Sequence, residues 1–194
     1  MDKYDITLKV VVVGESGVGT TCIIQRYIHN KFNENTESTS STIYSYKVID
    51  YKKYGRKINF DIWDIPGQEL YRSLSSNFCV NASIGILVYS IKDRNSFEEI
   101  QNFWYEHLKR LGEENMVFGV AGNKCDLFQH EEISEEEGRK FAKNIGAIFH
   151  LTSCKESIGI DELFEECGEK YLENNKIKKL KFNILPLCFK YLSY

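Results

Sequence analysis

The chain has 194 residues, of which 42% are hydrophobic and 27% charged, and it contains only two prolines. This length predicts one domain of about 150 residues with a modest extension, and the composition excludes a disordered, collagen-like or repeat-dominated chain. The formal net charge is −3, although residues 175–194 carry five lysines and no acidic residue. The body is therefore acidic, which argues against nonspecific binding to nucleic acid.

The six cysteines lie far apart and lack the short spacings of zinc sites, so neither a disulfide framework nor a metal cage is predicted. Residues 1–9 lack the features of a secretory signal, and the sequence has no apolar stretch of about 20 residues. We therefore expect a protein of the reducing cytoplasm. Its basic, apolar extension 175–194 is expected either to be solvated or to contact an anionic membrane surface.

Apolar runs alternate with helical patterns along the chain. The predicted strands are residues 8–13, 44–50, 58–63, 84–89, 117–121 and 147–151, and the later helices are residues 96–111, 134–144 and 161–172. This alternation predicts an α/β fold with a mainly parallel sheet. The strands 44–50 and 58–63 are separated by a short turn, which predicts an antiparallel hairpin at one edge. We expect a six-stranded mixed sheet flanked by about five helices over residues 1–174, followed by the extension 175–194.

The first chemical motif follows the first strand. Residues 14–21 (GESGVGTT) match the phosphate-binding loop G-x-x-x-x-G-K-[ST] except at the lysine, which is Thr20. Such a loop turns backbone N–H groups toward a phosphate at a helix N-terminus, where the helix dipole also favours an anion. Thr21 can still offer its hydroxyl to Mg²⁺. Taken alone, a glycine loop after a strand is equally consistent with a simple tight turn.

The second motif, residues 64–69 (DIPGQE), follows strand 58–63. Asp64 then lies at the carboxyl end of a sheet strand, where α/β folds bind ligands, and can hold Mg²⁺ through water. Gly67 can offer its N–H to a terminal phosphate, and Gln68 can orient an attacking water. Alone, the acid could equally cap the next helix.

Two further motifs point to guanine. Residues 123–126 (NKCD) follow strand 117–121 and supply the Asp126 carboxylate as an acceptor for the paired N–H donors of guanine, which adenine lacks. Residues 153–155 (SCK) follow the next strand, where a backbone N–H can meet the guanine O6. This triplet carries weight only beside the other motifs.

Four motifs in this order resemble the small GTPases of the Ras superfamily, and specifically the Rab branch, over roughly residues 9–172. Residues 62–64 (IWD), 67–69 (GQE) with 71–74 (YRSL), and 87–91 (LVYSI) are also similar to stretches that mark Rab proteins. The resemblance implies a GDP/GTP switch in vesicle traffic that uses Mg²⁺. It further implies exchange factors, GTPase-activating proteins and effectors as partners.

The resemblance also assigns site residues. The candidate nucleotide-binding residues are Ser16, Gly17, Val18, Gly19, Thr20, Thr21, Cys22, Phe32, Asn123, Lys124, Asp126, Ser153, Cys154 and Lys155. The candidate metal ligands are Thr21, Thr42 and Asp64, and the candidate catalytic residues are Gln68, Gly67 and Thr42.

Two residues of the nucleotide motifs depart from the family pattern. The lysine that Thr20 replaces neutralises the β and γ phosphates, and its loss removes a charge-assisted contact worth about 1.5–3 kcal/mol, or about ten- to a hundredfold in affinity. Pro66 stands where the family usually has alanine. It is expected to stiffen the segment that brings Gly67 to the γ phosphate, or to change nothing if the family backbone already suits proline. We expect weakened binding and impaired hydrolysis.

The polar segment 33–42 predicts an exposed, mobile loop, and the resemblance places one threonine of this loop on Mg²⁺ and the γ phosphate. Family spacing forward from Thr21 and Phe32 indicates Thr39, whereas spacing backward from Asp64 indicates Thr42. We prefer Thr42, because the hairpin after it fixes register more rigidly than a polar loop does. About three extra residues would then precede it.

Three functions are compatible with these residues. The leading hypothesis is a Rab-like GTPase with slow turnover, on the order of 10⁻⁴ s⁻¹ without an activator. The alternative is a nucleotide-holding or empty interaction module that has lost turnover through Thr20 and Pro66. Another P-loop enzyme, such as a nucleotide kinase, is disfavoured by the guanine motif. Residues 43–46 (IYSY) replace the small and acidic residues that Rabs carry there, so no effector is inferred. The last residues of the given sequence do not match a prenylation motif, so prenylation is not expected.

Overall fold

The computed structural model describes residues 5–34, 39–67 and 72–175. Gln68 and residues 176–194 lie outside the described residues. The water-orienting role of Gln68 and the membrane contact of the extension therefore stay predictions.

The described residues contain a six-stranded sheet. Its strands are β1 (Ile6–Gly14), β2 (Ile43–Tyr51), β3 (Arg56–Asp64), β4 (Ile84–Ser90), β5 (Val117–Asn123) and β6 (Ile148–Thr152). The spatial order is β2-β3-β1-β4-β5-β6. The β2–β3 pair is antiparallel and the other neighbouring pairs are parallel, which confirms the predicted mixed sheet with an antiparallel edge strand.

Helices cover both faces of this sheet. They are α1 (Thr20–His29), α2 (Arg72–Cys79), α3 (Arg94–Glu99), α4 (Tyr105–Leu111), α5 (Glu135–Ile145) and α6 (Ile160–Asn174). A π-helical turn at Ile100–Trp104 joins α3 and α4 into one rod, and a 3₁₀ turn at Cys125–His130 follows β5. Within the described stretches, none of these helices has the length and hydropathy needed to cross a membrane.

The π-helical turn is a local difference from the regular helix predicted over residues 96–111. Ile100, Trp104 and Leu108 are all fully buried and stand four residues apart. In a regular helix with 3.6 residues per turn, positions four apart drift steadily around the axis. A wider π turn reduces this drift, so the three side chains face the core together.

The core lies in two layers, one on each face of the sheet. Val10 and Val12 of β1 belong to the layer that also contains Phe164 of α6, whereas Val11 and Val13 belong to the layer that contains Trp104. Every residue of β4 and β5 is buried. Burial on both faces explains why these strands are continuous apolar runs rather than alternating ones.

Parallel pairing brings the carboxyl ends of four strands to one edge of the sheet. Val12 of β1 pairs with Asp64 of β3, and Asn123 of β5 pairs with Thr152 of β6. The four sequence motifs begin at, or directly after, the last residues of β1, β3, β5 and β6. They therefore converge at this edge, where open α/β sheets bind ligands.

We expect Gly168→Ala in α6 to destabilise the protein by about 1–3 kcal/mol, although alanine favours helices over glycine. A Cβ at this position would overlap the Tyr51 hydroxyl and the Phe60 ring, both buried under the helix. Urea unfolding measures the change, with the exposed Glu162→Ala of the same helix as the control. Wild-type stability in Gly168→Ala would contradict this packing.

The N-terminus of α5 gives a pH-dependent prediction. Hydrogen bonds from the Arg94 guanidinium (2.8 Å) and the Ser134 backbone N–H (3.0 Å) hold the pKa of Glu137 at about 2, below its ordinary value of 4.5. As the pH falls, Glu137 is therefore protonated in the unfolded chain before it is protonated in the folded protein. The stabilisation that the Glu137 carboxylate gives the folded state is complete above about pH 4.5 and is lost toward pH 2. The stability gap between wild type and Glu137→Gln should shrink over that range in denaturant titrations. Glu136→Gln, an exposed neighbour, controls for charge, and a gap independent of pH would refute the assignment.

Candidate functional site

A cavity of about 290 Å³ lies at this edge of the sheet. The structure brings most of the predicted site residues to its wall, namely Ser16, Gly17, Gly19, Thr20, Thr21, Cys22, Phe32, Gly67, Asn123, Lys124, Asp126, Cys154 and Lys155. Three further predicted residues, Val18, Asp64 and Ser153, are buried behind the wall.

The loop between β1 and α1 has the backbone of an anion cradle. Gly17 and Gly19 have positive φ angles of 81° and 99°, which side-chain-bearing residues rarely adopt. A Cβ at Gly19 would also overlap the side-chain amide of Asn123, so this position requires glycine. The loop leads directly into α1 at Thr20, so its N–H groups lie at a helix N-terminus.

Asn123 fastens this loop to the other side of the cavity. Its side-chain nitrogen donates to the Val18 carbonyl (2.8 Å), and its oxygen accepts from the Thr152 hydroxyl (3.1 Å). The Lys124 ammonium donates to the Gly17 carbonyl (2.6 Å), and burial lowers the pKa of this lysine. The loop and the end of β5 therefore form one rigid wall.

A cluster of hydroxyls and one carboxylate lies under the loop. The Thr21 hydroxyl donates to Asp64 Oδ2 (2.5 Å), and the Thr39 hydroxyl contacts the Thr21 oxygen. Because Thr21 has one proton and gives it to Asp64, Thr39 is the donor in the second bond. Burial raises the pKa of Asp64, an effect that the hydroxyls of Thr21 and the neighbouring Thr20 partly oppose.

The structure places Thr39, and not Thr42, at this cluster. Thr39 also lines the cavity, whereas Thr42 is absent from the part of the wall that the structure describes. The preference for Thr42 assumed that the extra residues precede it. The β2–β3 register begins at Ile43, which pairs with Asp64, so it does not fix the positions of residues 39–42.

At the other end of the cavity, Asp126 is held by a neighbouring motif. Its carboxylate accepts a hydrogen bond from the Ser153 hydroxyl (2.6 Å), which also accepts from the Glu156 backbone N–H (3.0 Å). The Cys154 carbonyl accepts from the Arg26 Nε (2.8 Å). The two guanine motifs are thus joined to each other and to α1.

Sequence reasoning missed some contributors to the site. Arg26 anchors the Cys154 loop from the last turn of α1, a contact that connects distant parts of the chain and leaves no local signal. Glu15, Asn33, Glu34 and Leu127 also line the cavity. In the sequence, only their closeness to the motifs could have indicated that Glu15 and Leu127 line the cavity.

Gly67 lies against the phosphate-type loop. A Cβ here would overlap the Gly14 carbonyl and the backbone of Glu15 and Ser16, so a larger residue would push the segment away. Pro66, next to it, is buried. The start of the second motif is therefore packed directly on the first.

Comparison with known proteins agrees with this geometry. The Ras family model matches residues 9–173. Ras-related protein Rab-13 of Bos taurus is 34% identical, covering 94% of this chain and 89% of the relative. Ras-related protein Rab-10 of Caenorhabditis elegans is 35% identical, covering 87% of this chain and 83% of the relative. Ras-related protein Rab-22A of Homo sapiens is 36% identical, covering 84% of this chain and 82% of the relative.

The family match spans all four motifs, from the loop after β1 to the triplet after β6, and the relatives are covered over most of their own length. The chain therefore belongs to the Ras family, as a Rab-like small GTPase.

Proposed function

We propose that this protein binds GDP and GTP with Mg²⁺ in the cavity, hydrolyses GTP slowly, and acts as a Rab-like switch in vesicle trafficking. The observation that carries the proposal is that one cavity unites a backbone anion cradle with a positioned carboxylate. The bond between Gly17 and Lys124, which joins the two parts, spans 107 residues of sequence. A pyrophosphate would lie on the cradle and a purine at the far end.

Guanine recognition follows from Asp126. The Ser153 hydroxyl fixes one carboxylate oxygen, which orients the group toward paired N–H donors on the base. Adenine lacks that pair and would leave the carboxylate unsatisfied, which is costly in a partly buried site. The backbone N–H of Cys154 is the proposed donor to the guanine O6.

The hydroxyl–carboxylate cluster fits a magnesium ion. Asp64 Oδ1 is buried without a hydrogen-bond partner among the described residues, and Thr21 and Thr39 add hydroxyl oxygens, the hard ligands that Mg²⁺ prefers. When bound, Mg²⁺ would neutralise charge on the β and γ phosphates. We propose Thr39, in place of Thr42, as the switch threonine.

The remaining catalytic roles fall on the second motif. The Gly67 N–H would bind the terminal phosphate, because its backbone already lies on the cradle. Gln68 would orient the attacking water. Without the lysine at position 20, less charge is stabilised in the transition state, so slow intrinsic hydrolysis is expected.

A second candidate is a nucleotide-holding or empty interaction module. The neutral Thr20 beside Asp64, together with the buried Pro66, is the observation that favours it. If the protein is a GTPase switch, its partners would be exchange factors, GTPase-activating proteins and effectors. If it is an interaction module, it would bind partner proteins without nucleotide turnover. In either case we propose a cytoplasmic protein that reaches membranes peripherally through residues 175–194.

Titration with GDP, GTP and ATP, followed by single-turnover phosphate release, separates these functions. We expect guanine-selective binding and measurable release on the order of 10⁻⁴ s⁻¹. Binding without release would favour the module. No binding at micromolar ligand would refute the switch.

Asp126→Ala should weaken binding of both guanine nucleotides by about 10²- to 10⁴-fold, since two charge-assisted hydrogen bonds are lost. Fluorescent GDP competition measures this loss. Glu156→Ala removes a nearby exposed carboxylate and is the matched control, expected to bind as wild type. If the two variants behaved alike, Asp126 would not be the base-reading group.

A further inference from the structure

The turn that follows β6, residues 153–158, is attached to the protein from two sides. On one side, the Ser153 N–H donates to the Ile158 carbonyl (3.1 Å), and the Ser153 carbonyl accepts from the Ile158 N–H (3.0 Å). On the other side, the Cys154 carbonyl accepts from the Arg26 Nε (2.8 Å). The Cys154 N–H shares a planar peptide group with the Ser153 carbonyl, so it lies between these two attachments.

The Arg26 guanidinium is itself held in place at the end of α1. One of its terminal nitrogens donates to the Asn30 carbonyl (3.0 Å) and to the Asn30 side-chain oxygen (2.9 Å), and the other donates to the Lys155 carbonyl (3.5 Å). The N–H groups of a guanidinium form a rigid planar fork, so holding one of them orients the others. Arg26 therefore fastens two successive carbonyls of the turn 153–158 to α1.

Arg26 acts on the cavity only through this turn. Cys154 and Lys155 line the cavity, whereas Arg26 is not among the described lining residues. A hydrogen bond weakens steeply as its donor turns away from the acceptor. Release of the Cys154 carbonyl would therefore weaken a bond from the Cys154 N–H to a ligand, although no residue in contact with that ligand had changed.

We infer that Arg26 is a positioning residue for base specificity, because it directs the Cys154 N–H toward the oxygen at C6 of a guanine. The inference rests on the proposed function, since it concerns the same nucleotide site. Asp126 is oriented separately, by the Ser153 hydroxyl, and Ser153 keeps its bonds to Ile158 without Arg26. Loss of Arg26 would thus impair recognition of the C6 oxygen and leave recognition of the 2-amino group unchanged.

The test is a competition experiment against fluorescent GDP with three nucleotides. They are GDP, 6-thioguanosine diphosphate, whose sulfur is a weak acceptor in place of the oxygen, and inosine diphosphate, which keeps the oxygen but lacks the 2-amino group. Wild type should prefer GDP to the thio analogue by about three- to tenfold, and Arg26→Met should bring this ratio to within about twofold of one. The ratio of GDP to inosine diphosphate should stay at its wild-type value.

Arg139→Met, which removes an exposed arginine from α5, is the matched control and should keep both wild-type ratios. Arg26→Lys keeps the charge but not the fork, so it should also lower the first ratio, and it decides the question if Arg26→Met does not fold.

A merely structural role of Arg26 would weaken all three nucleotides equally, and unchanged ratios would therefore overturn the inference while leaving the proposed function intact. A fall in both ratios would also overturn it, because Arg26 would then support the whole base site. If no nucleotide bound wild type at micromolar concentration, the inference and the proposed function would fall together.

Discussion

The site depends on how the loop between β1 and α1 is held. Val18 is buried beneath it, the Asn123 amide donates to the Val18 carbonyl, and the Lys124 ammonium donates to the Gly17 carbonyl. None of these contacts uses the side chain of residue 20. The shape of the cradle and its charge are therefore separate properties, and this chain keeps the first while changing the second.

The two ends of the cavity therefore differ in the kind of group that they offer to a ligand. At the base end, Asp126 and Ser153 form a positioned hydrogen-bonding pair of the kind that gives strong selectivity between purines. At the proposed phosphate end, the contacts would come from backbone dipoles and hydroxyls, which attract anions less strongly than a cation does. In the proposed function, guanine recognition and phosphate binding would therefore depend on different groups.

Much of the fold was predictable because it depends on local pattern. The apolar runs that become β1, β4 and β5 are buried on both faces, so their composition alone identified them. The motifs were placed correctly at one edge because parallel strands share the direction of their carboxyl ends. The π-helical turn was not predictable, since it depends on the simultaneous burial of several side chains against distant parts of the chain.

The site was less completely predictable, for reasons that are also physical. The sequence could not decide between Thr39 and Thr42, because both lie in a polar loop that has no periodicity to fix its register. Arg26 reaches the Cys154 carbonyl across 128 residues of sequence, a contact that only the folded chain creates. Gln68 lies outside the described residues, so its role stays a prediction.

We propose that backbone amides hold the phosphates of a guanine nucleotide without help from a lysine at position 20. Nuclear magnetic resonance of the ¹⁵N-labelled protein during GDP titration tests it directly, because the amides of Gly17, Gly19 and Thr21 report on the cradle. We expect large, saturable shifts of these amide signals, in step with those of residues around Asp126. Shifts confined to the base end, with the cradle amides unchanged at saturation, would contradict the claim.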